Sequence, residues 1–84
     1  MFFSTANKTK NTLKGFIASK MVENLKYKIE TYRFQHNTYP DSINTISNIL
    51  DPWGRPYIYY YGNDTFTIKS LGADGKDGTE DDIY

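Results

Sequence analysis

The residues best equipped for chemistry lie together at the end of the chain. Ser70–Tyr84, SLGADGKDGTEDDIY, holds five carboxylates, Asp74, Asp77, Glu80, Asp81 and Asp82, set between Gly72, Gly75 and Gly78, with Lys76 as its sole cation. The stretch has no helical or strand periodicity before Ile83. Carboxylates crowded this closely repel unless something neutralises them. Hard oxygen ligands on a glycine-bent backbone suit Ca²⁺, which takes ~6–8 oxygens from carboxylates, carbonyls and water. Asp74 and the pair Asp81/Asp82 can meet around one ion if Gly75–Gly78 folds back. The Leu71 carbonyl would help to complete the shell, with Asp77 and Glu80 facing solvent. A solvated acidic end is the competing reading, and residue types alone leave both open. The loop is no EF-hand: the D-x-[DN]-x-[DN]-G spacing and its following Glu are missing, and no helix flanks it.

Other chemistries find little footing. His36 is the sole histidine and there is no cysteine, which argues against a zinc site and against a nucleophile–base pair. His36 reads instead as a cation at the negative end of a helix. No glycine-rich loop opens a helix to cradle phosphate. Paired carboxylates can do acid–base work, but these sit in a glycine-rich tail with no evident pocket. Eight tyrosines invite a ligand-stacking reading; covering a thin sheet, ring inward and hydroxyl outward, is preferred.

The elements that must position the tail follow from periodicity. Residues 4–35 read as one long helix, capped by Ser4 or Thr5. Leu13, Ile17, Met21, Leu25 and Ile29 step by four, with Ala18, Val22, Leu25, Ile29 and Tyr32 beside them. Gly15 weakens the first half by ~1 kcal/mol relative to Ala. The second half is expected to be buried on a domain and the first to project. The helix stops at Gln35–Thr38, because Tyr39 precedes Pro40 and is driven out of the α region. Asp41 or Ser42 starts a short helix over 42–50, with Ile43, Ile46, Ile49 and Leu50 as core residues. Asp51-Pro52 and Gly54 make a turn. Tyr57–Tyr61 and Thr65–Ser70 then form a β-hairpin about Gly62-Asn63-Asp64, with Phe66 and Ile68 on one face and Thr65, Thr67 and Lys69 on the other. The expectation is one α+β domain over 1–84: a long N-terminal helix packed on a small antiparallel sheet (hairpin 57–69), followed by the acidic loop 70–84.

At 84 residues a single core is marginal and staples are common. Without cysteine a bound metal is the obvious substitute. Net charge is zero, but residues 1–36 carry seven Lys/Arg against two acids, and residues 37–84 three against eight. The lysines are scattered around the helix, a solvated face and not a nucleic-acid patch. No run approaches the ~18 apolar residues of a membrane span, and residues 1–9 form no signal peptide.

Three blocks resemble the major pseudopilin of bacterial type II secretion systems, in the type IV pilin-like superfamily. YRFQHNTYP, Tyr32–Pro40, is similar to the turn that ends the family's long helix. DPWGRPYIY, Asp51–Tyr59, matches its DPWGxPYxY block. SLGADGKDGTEDDI, Ser70–Ile83, is similar to its SLGADG…DI calcium loop. The resemblance spans about residues 18–84. It implies a non-enzymatic subunit that stacks on itself into a helical periplasmic filament, the pseudopilus, beside minor pseudopilins and an inner-membrane assembly platform. The growth of this filament drives folded proteins through the outer membrane. It also implies that Ca²⁺ stabilises the subunit, with Asp74 and Asp81, Asp82 or both as side-chain ligands and the Leu71 and Thr79 carbonyls as backbone ligands. The family begins with a basic leader and an apolar membrane anchor; here Met-Phe-Phe leads straight into Ser-Thr-Ala-Asn-Lys, so the chain reads as a soluble fragment lacking that anchor. The alternatives are a type IV pilin or competence pseudopilin, and, from another class, a free-standing calcium-dependent glycan- or ligand-binding module.

Overall fold

The computed structural model describes residues 13–84. The expected start of the long helix at residue 4, with its Ser4 or Thr5 cap, lies outside them. Helix α1 runs Leu13–His36. Its buried positions are Gly15, Ala18, Val22, Leu25 and Ile29, alternating steps of three and four that hold one face. The step-of-four series fares differently. Each such step turns about 40° past a full rotation, so a line that is buried at Leu25 and Ile29 drifts off the face toward the N-terminus. Met21 is half-buried at the core margin, while Ile17 and Leu13 are 42% and 69% exposed.

The helix ends as its sequence requires. Asn37 adopts φ 61° and donates its N–H to the Arg33 carbonyl at 2.8 Å, an asparagine in the left-handed capping position. His36 is exposed and lies against Tyr32 one turn earlier, ring centroids 4.1 Å apart. The Arg33 guanidinium sits 4.4 Å over the Tyr39 ring and fastens the turn to the helix.

The short helix expected over 42–50 is instead a single 3₁₀ turn, Ile43–Thr45. Ser42 is extended and its side chain makes no capping bond. The β-branched Ile43, Thr45, Ile46 and Ile49, interleaved with Asn44, Ser47 and Asn48, are poor helix formers. Ile43 and Ile46 do pack on the core. Ile49 and Leu50, expected inside, are 42% and 55% exposed, because without a second helical turn their side chains leave the inward face.

Strands β1 (Ile58–Tyr61) and β2 (Phe66–Lys69) form the antiparallel hairpin, pairing Ile58 with Lys69, Tyr59 with Ile68, Tyr60 with Thr67 and Tyr61 with Phe66. Its turn closes from the Gly62 N–H to the Thr65 carbonyl at 2.8 Å. Beyond β2 the chain returns once more, since Ser70 and Ile83 exchange both backbone hydrogen bonds at 2.9 Å. The core joins Val22, Leu25 and Ile29 of α1 to Tyr39, Tyr57 and Ile68; burying aliphatic side chains of this size gives about 1.5–3 kcal/mol each. Tyr59 packs at its margin and donates its hydroxyl to the Pro40 carbonyl at 2.8 Å. Burial first, then the neighbouring Tyr61, Tyr39, Asp41 and Tyr32, push the Tyr59 hydroxyl up to about 12.

Candidate functional site: the acidic loop and the turn beneath it

The DPWGR turn is built on one carboxylate. Asp51 is buried. Its Oδ1 accepts the Trp53 N–H at 3.1 Å and the Arg55 N–H at 2.8 Å, the reach-back that Asp favours before a tight turn. The turn also carries backbone bonds from the Asp51 N–H to the Arg55 carbonyl and from the Gly54 N–H to the Asp51 carbonyl. Asp51 Oδ2 accepts the Ser70 hydroxyl at 2.8 Å, and Ser70 Oγ in turn accepts the Gly72 N–H at 3.1 Å. Arg55 reaches across to donate to the Gly72 carbonyl at 3.3 Å. Its guanidinium lies so close to Gly75 that a Cβ there would stand 2.5 Å from Cζ. The turn and the acidic loop are therefore one packed unit. Burial, and then the Asp51 charge, hold the Tyr57 hydroxyl above the ordinary tyrosine value; that hydroxyl is buried and has no hydrogen-bond partner among the described residues.

The loop folds back through Gly75–Gly78 as its glycines suggested. At Gly72, φ is 76° and a Cβ would stand 2.1 Å from the Asp81 carbonyl oxygen, so only glycine lets the two passes of the loop meet. Asp81 is buried, and its Oδ2 accepts the Asp74 N–H at 3.2 Å. The exposed Asp74 turns its Oδ1 onto the Lys76 N–H at 3.0 Å. The Thr79 hydroxyl donates to the Lys76 carbonyl and accepts the Asp81 N–H, while the Thr79 carbonyl accepts the Asp82 N–H at 3.2 Å. Asp82 Oδ2 takes the Gly78 N–H at 2.9 Å. Leu71 is half-buried at the loop entrance and Glu80 is exposed.

Lys69, expected on the open face of the hairpin, is buried. Its ammonium donates to Asp77 Oδ1 and, at 3.1 Å, to Asp82 Oδ2, with the Tyr84 hydroxyl at 3.5 Å. The Asp77 and then the Asp82 carboxylates hold the ammonium above the usual lysine range, against the opposing effect of burial. Nothing in the sequence pattern pointed to this lysine beyond the need of crowded acids for a cation.

The expected ligands are thus brought into one small loop, and both Asp81 and Asp82 turn inward, onto different partners. Among the described residues no group of three or more Asp, Glu or His converges as a metal cluster. One observation nonetheless fits a hard cation. Asp82 Oδ1 is buried and has no hydrogen-bond partner among the described residues, a costly state for a carboxylate oxygen, and the groups near it in the loop include oxygens of the kind Ca²⁺ prefers.

A cleft of about 290 Å³ between α1 and the 3₁₀ turn is lined by residues that include Tyr27, Tyr32, Gln35 and Ile46, with Lys28 as the one charged group among them. No helix among the described residues is long and apolar enough to cross a membrane. No curated protein and no solved structure matches the chain. Residues 46–84 match the family described as Type II secretion system (T2SS), protein G. The matched stretch begins just before the DPWGR turn and takes in the hairpin and the whole acidic loop. Over these residues, 39 of the 84, the chain is similar to the major pseudopilin of type II secretion, a family of structural subunits.

Proposed function

We propose that the chain works as the repeating subunit of a periplasmic filament, the pseudopilus, anchored in the inner membrane before assembly, whose growth exports folded proteins across the outer membrane, and that calcium stabilises its acidic loop. The observation that carries this reading is the packing of the DPWGR turn against the SLGADG loop through Asp51, Ser70 and Arg55, within the stretch that matches the family. Self-assembly, with minor pseudopilins and the inner-membrane platform as partners, is what that likeness implies.

Bound Ca²⁺ would supply the positive charge that lets the carboxylates crowd together. Asp74, Asp81 and Asp82 would hold it by their side chains, and Leu71 and Thr79 by their carbonyls. The Thr79 carbonyl keeps a lone pair beside the one that takes the Asp82 N–H. Asp82 offers its unpartnered Oδ1, and Asp81 braces the loop by holding the Asp74 N–H.

The test has two arms. Chelator-treated protein should gain melting temperature on adding millimolar Ca²⁺; binding to the folded state alone gives about 2.7 kcal/mol at a hundredfold excess over Kd. No shift would refute the calcium reading. In secreting cells, the membrane-anchored form with Asp81→Ala and Asp82→Ala should lose export, and normal export would remove the loop from the filament's function.

A further inference from the structure

A lysine near the end of a strand ordinarily snorkels to water. Lys69 does the reverse: it is 3% exposed, and its ammonium lies between Asp77 and Asp82. The position is specific. Asp82 Oδ2 accepts the Gly78 N–H at the end of the fold-back, and the same oxygen accepts Lys69, from the strand before the loop, at 3.1 Å. The ammonium therefore stands at the closing point of the loop, where an uncompensated buried carboxylate would be most costly. Asp82 Oδ1, the oxygen left for an incoming cation, belongs to that same carboxylate. A second cation there faces the first across one buried carboxylate, and like charges that close repel strongly.

We propose that Lys69 is the built-in cation of this loop: its ammonium closes the loop without metal, and Ca²⁺ at Asp82 is held only in competition with it. The competition rests on the calcium reading above; the metal-free closure does not.

Lys69→Met keeps the length of the aliphatic stem and removes the charge. Thermal unfolding in chelator should show the wild type intact and Lys69→Met lower by more than about 10 °C. Calorimetric titration should show Ca²⁺ binding Lys69→Met at least about tenfold more tightly than wild type and restoring the lost melting temperature. Equal melting temperatures in chelator overturn the inference, as does calcium affinity unchanged by the substitution. If neither protein binds Ca²⁺ while Lys69→Met still loses stability, the calcium reading fails and closure by Lys69 stands. Should Lys69→Met fail to fold, acetylation of the wild type read by mass spectrometry decides the matter. In chelator Lys69 should react far more slowly than the exposed Lys76, and its reactivity should rise on adding Ca²⁺. Lys69 acetylated as fast as Lys76 in chelator overturns the closure, and a Lys69 still protected with calcium bound overturns the competition.

Discussion

Asp51→Ala is the substitution that most directly tests the joint between turn and loop. The carboxylate accepts three hydrogen bonds, from the Trp53 and Arg55 N–H groups and from the Ser70 hydroxyl. Alanine would strand these donors, and both Asp51 and Ser70 are almost wholly buried. Hydrogen bonds to a charged group contribute about 1.5–3 kcal/mol each. Because the three share one acceptor and relax together, their combined loss is about 4 kcal/mol and not the full sum. A domain of this length holds roughly 4–13 kcal/mol in all, so the loss takes a large part of it. With about 4–8 °C per kcal/mol, the melting temperature should fall by about 15–30 °C, followed by far-ultraviolet circular dichroism and checked by urea denaturation. Asp51→Asn keeps the Oδ1 acceptor and can donate from Nδ2 to Ser70 Oγ, so it should lose less than half as much. An Asp51→Ala protein melting within about 5 °C of wild type would refute the account. Asn as damaging as Ala would assign the effect to charge and not to hydrogen-bond geometry.

Two glycines with similar φ should respond differently to alanine. Gly72→Ala puts a Cβ 2.1 Å from a backbone oxygen and should cost about 3 kcal/mol or more, whereas Gly54→Ala, at φ 84° in open space, should cost about 1 kcal/mol; urea midpoints separate them. Ile29→Ala opens a cavity in the core beside α1 and should cost about 2–5 kcal/mol, measured the same way. Tyr59 has a folded-state value of about 12 against the ordinary 10, so the unfolded chain loses this proton first as pH rises. Its contribution to stability is therefore complete below pH about 10 and drains away between about 10 and 12; denaturation at fixed urea across that range should show a steeper loss in wild type than in Tyr59→Phe.

Where a residue's environment is local, the sequence was a good guide. The end of α1 follows from Asn37 and the Tyr39-Pro40 pair, and the hairpin from an aromatic run, a Gly-Asn-Asp turn and an alternating return. The fold-back of the acidic loop was foreshadowed by its glycines, and Gly72 shows why one of them has no substitute. The other readings had separate outcomes, each with its own cause. Leu13 and Ile17 lie in the half of the helix expected to project, and they are exposed. The isoleucines after Ser42 suggested a helix, and β-branching with competing Ser and Asn side chains left one 3₁₀ turn. Lys69 looked like an outward residue because alternation knows only the two faces of a hairpin; it has no means of announcing that a later loop will cover one of them.

Ser70 also bears on how variation in this chain should be read. Its backbone pairs with Ile83, its hydroxyl donates to Asp51 nineteen residues earlier, and the same oxygen receives the Gly72 N–H. A change at either end of the Asp51–Ser70 bond alters what the other end can tolerate, so the effects of single substitutions at the two sites should not sum. The turn and the loop should then tolerate change only as a pair: a chain that keeps the aspartate and loses the hydroxyl, or the reverse, retains half of a joint that holds only when both are present.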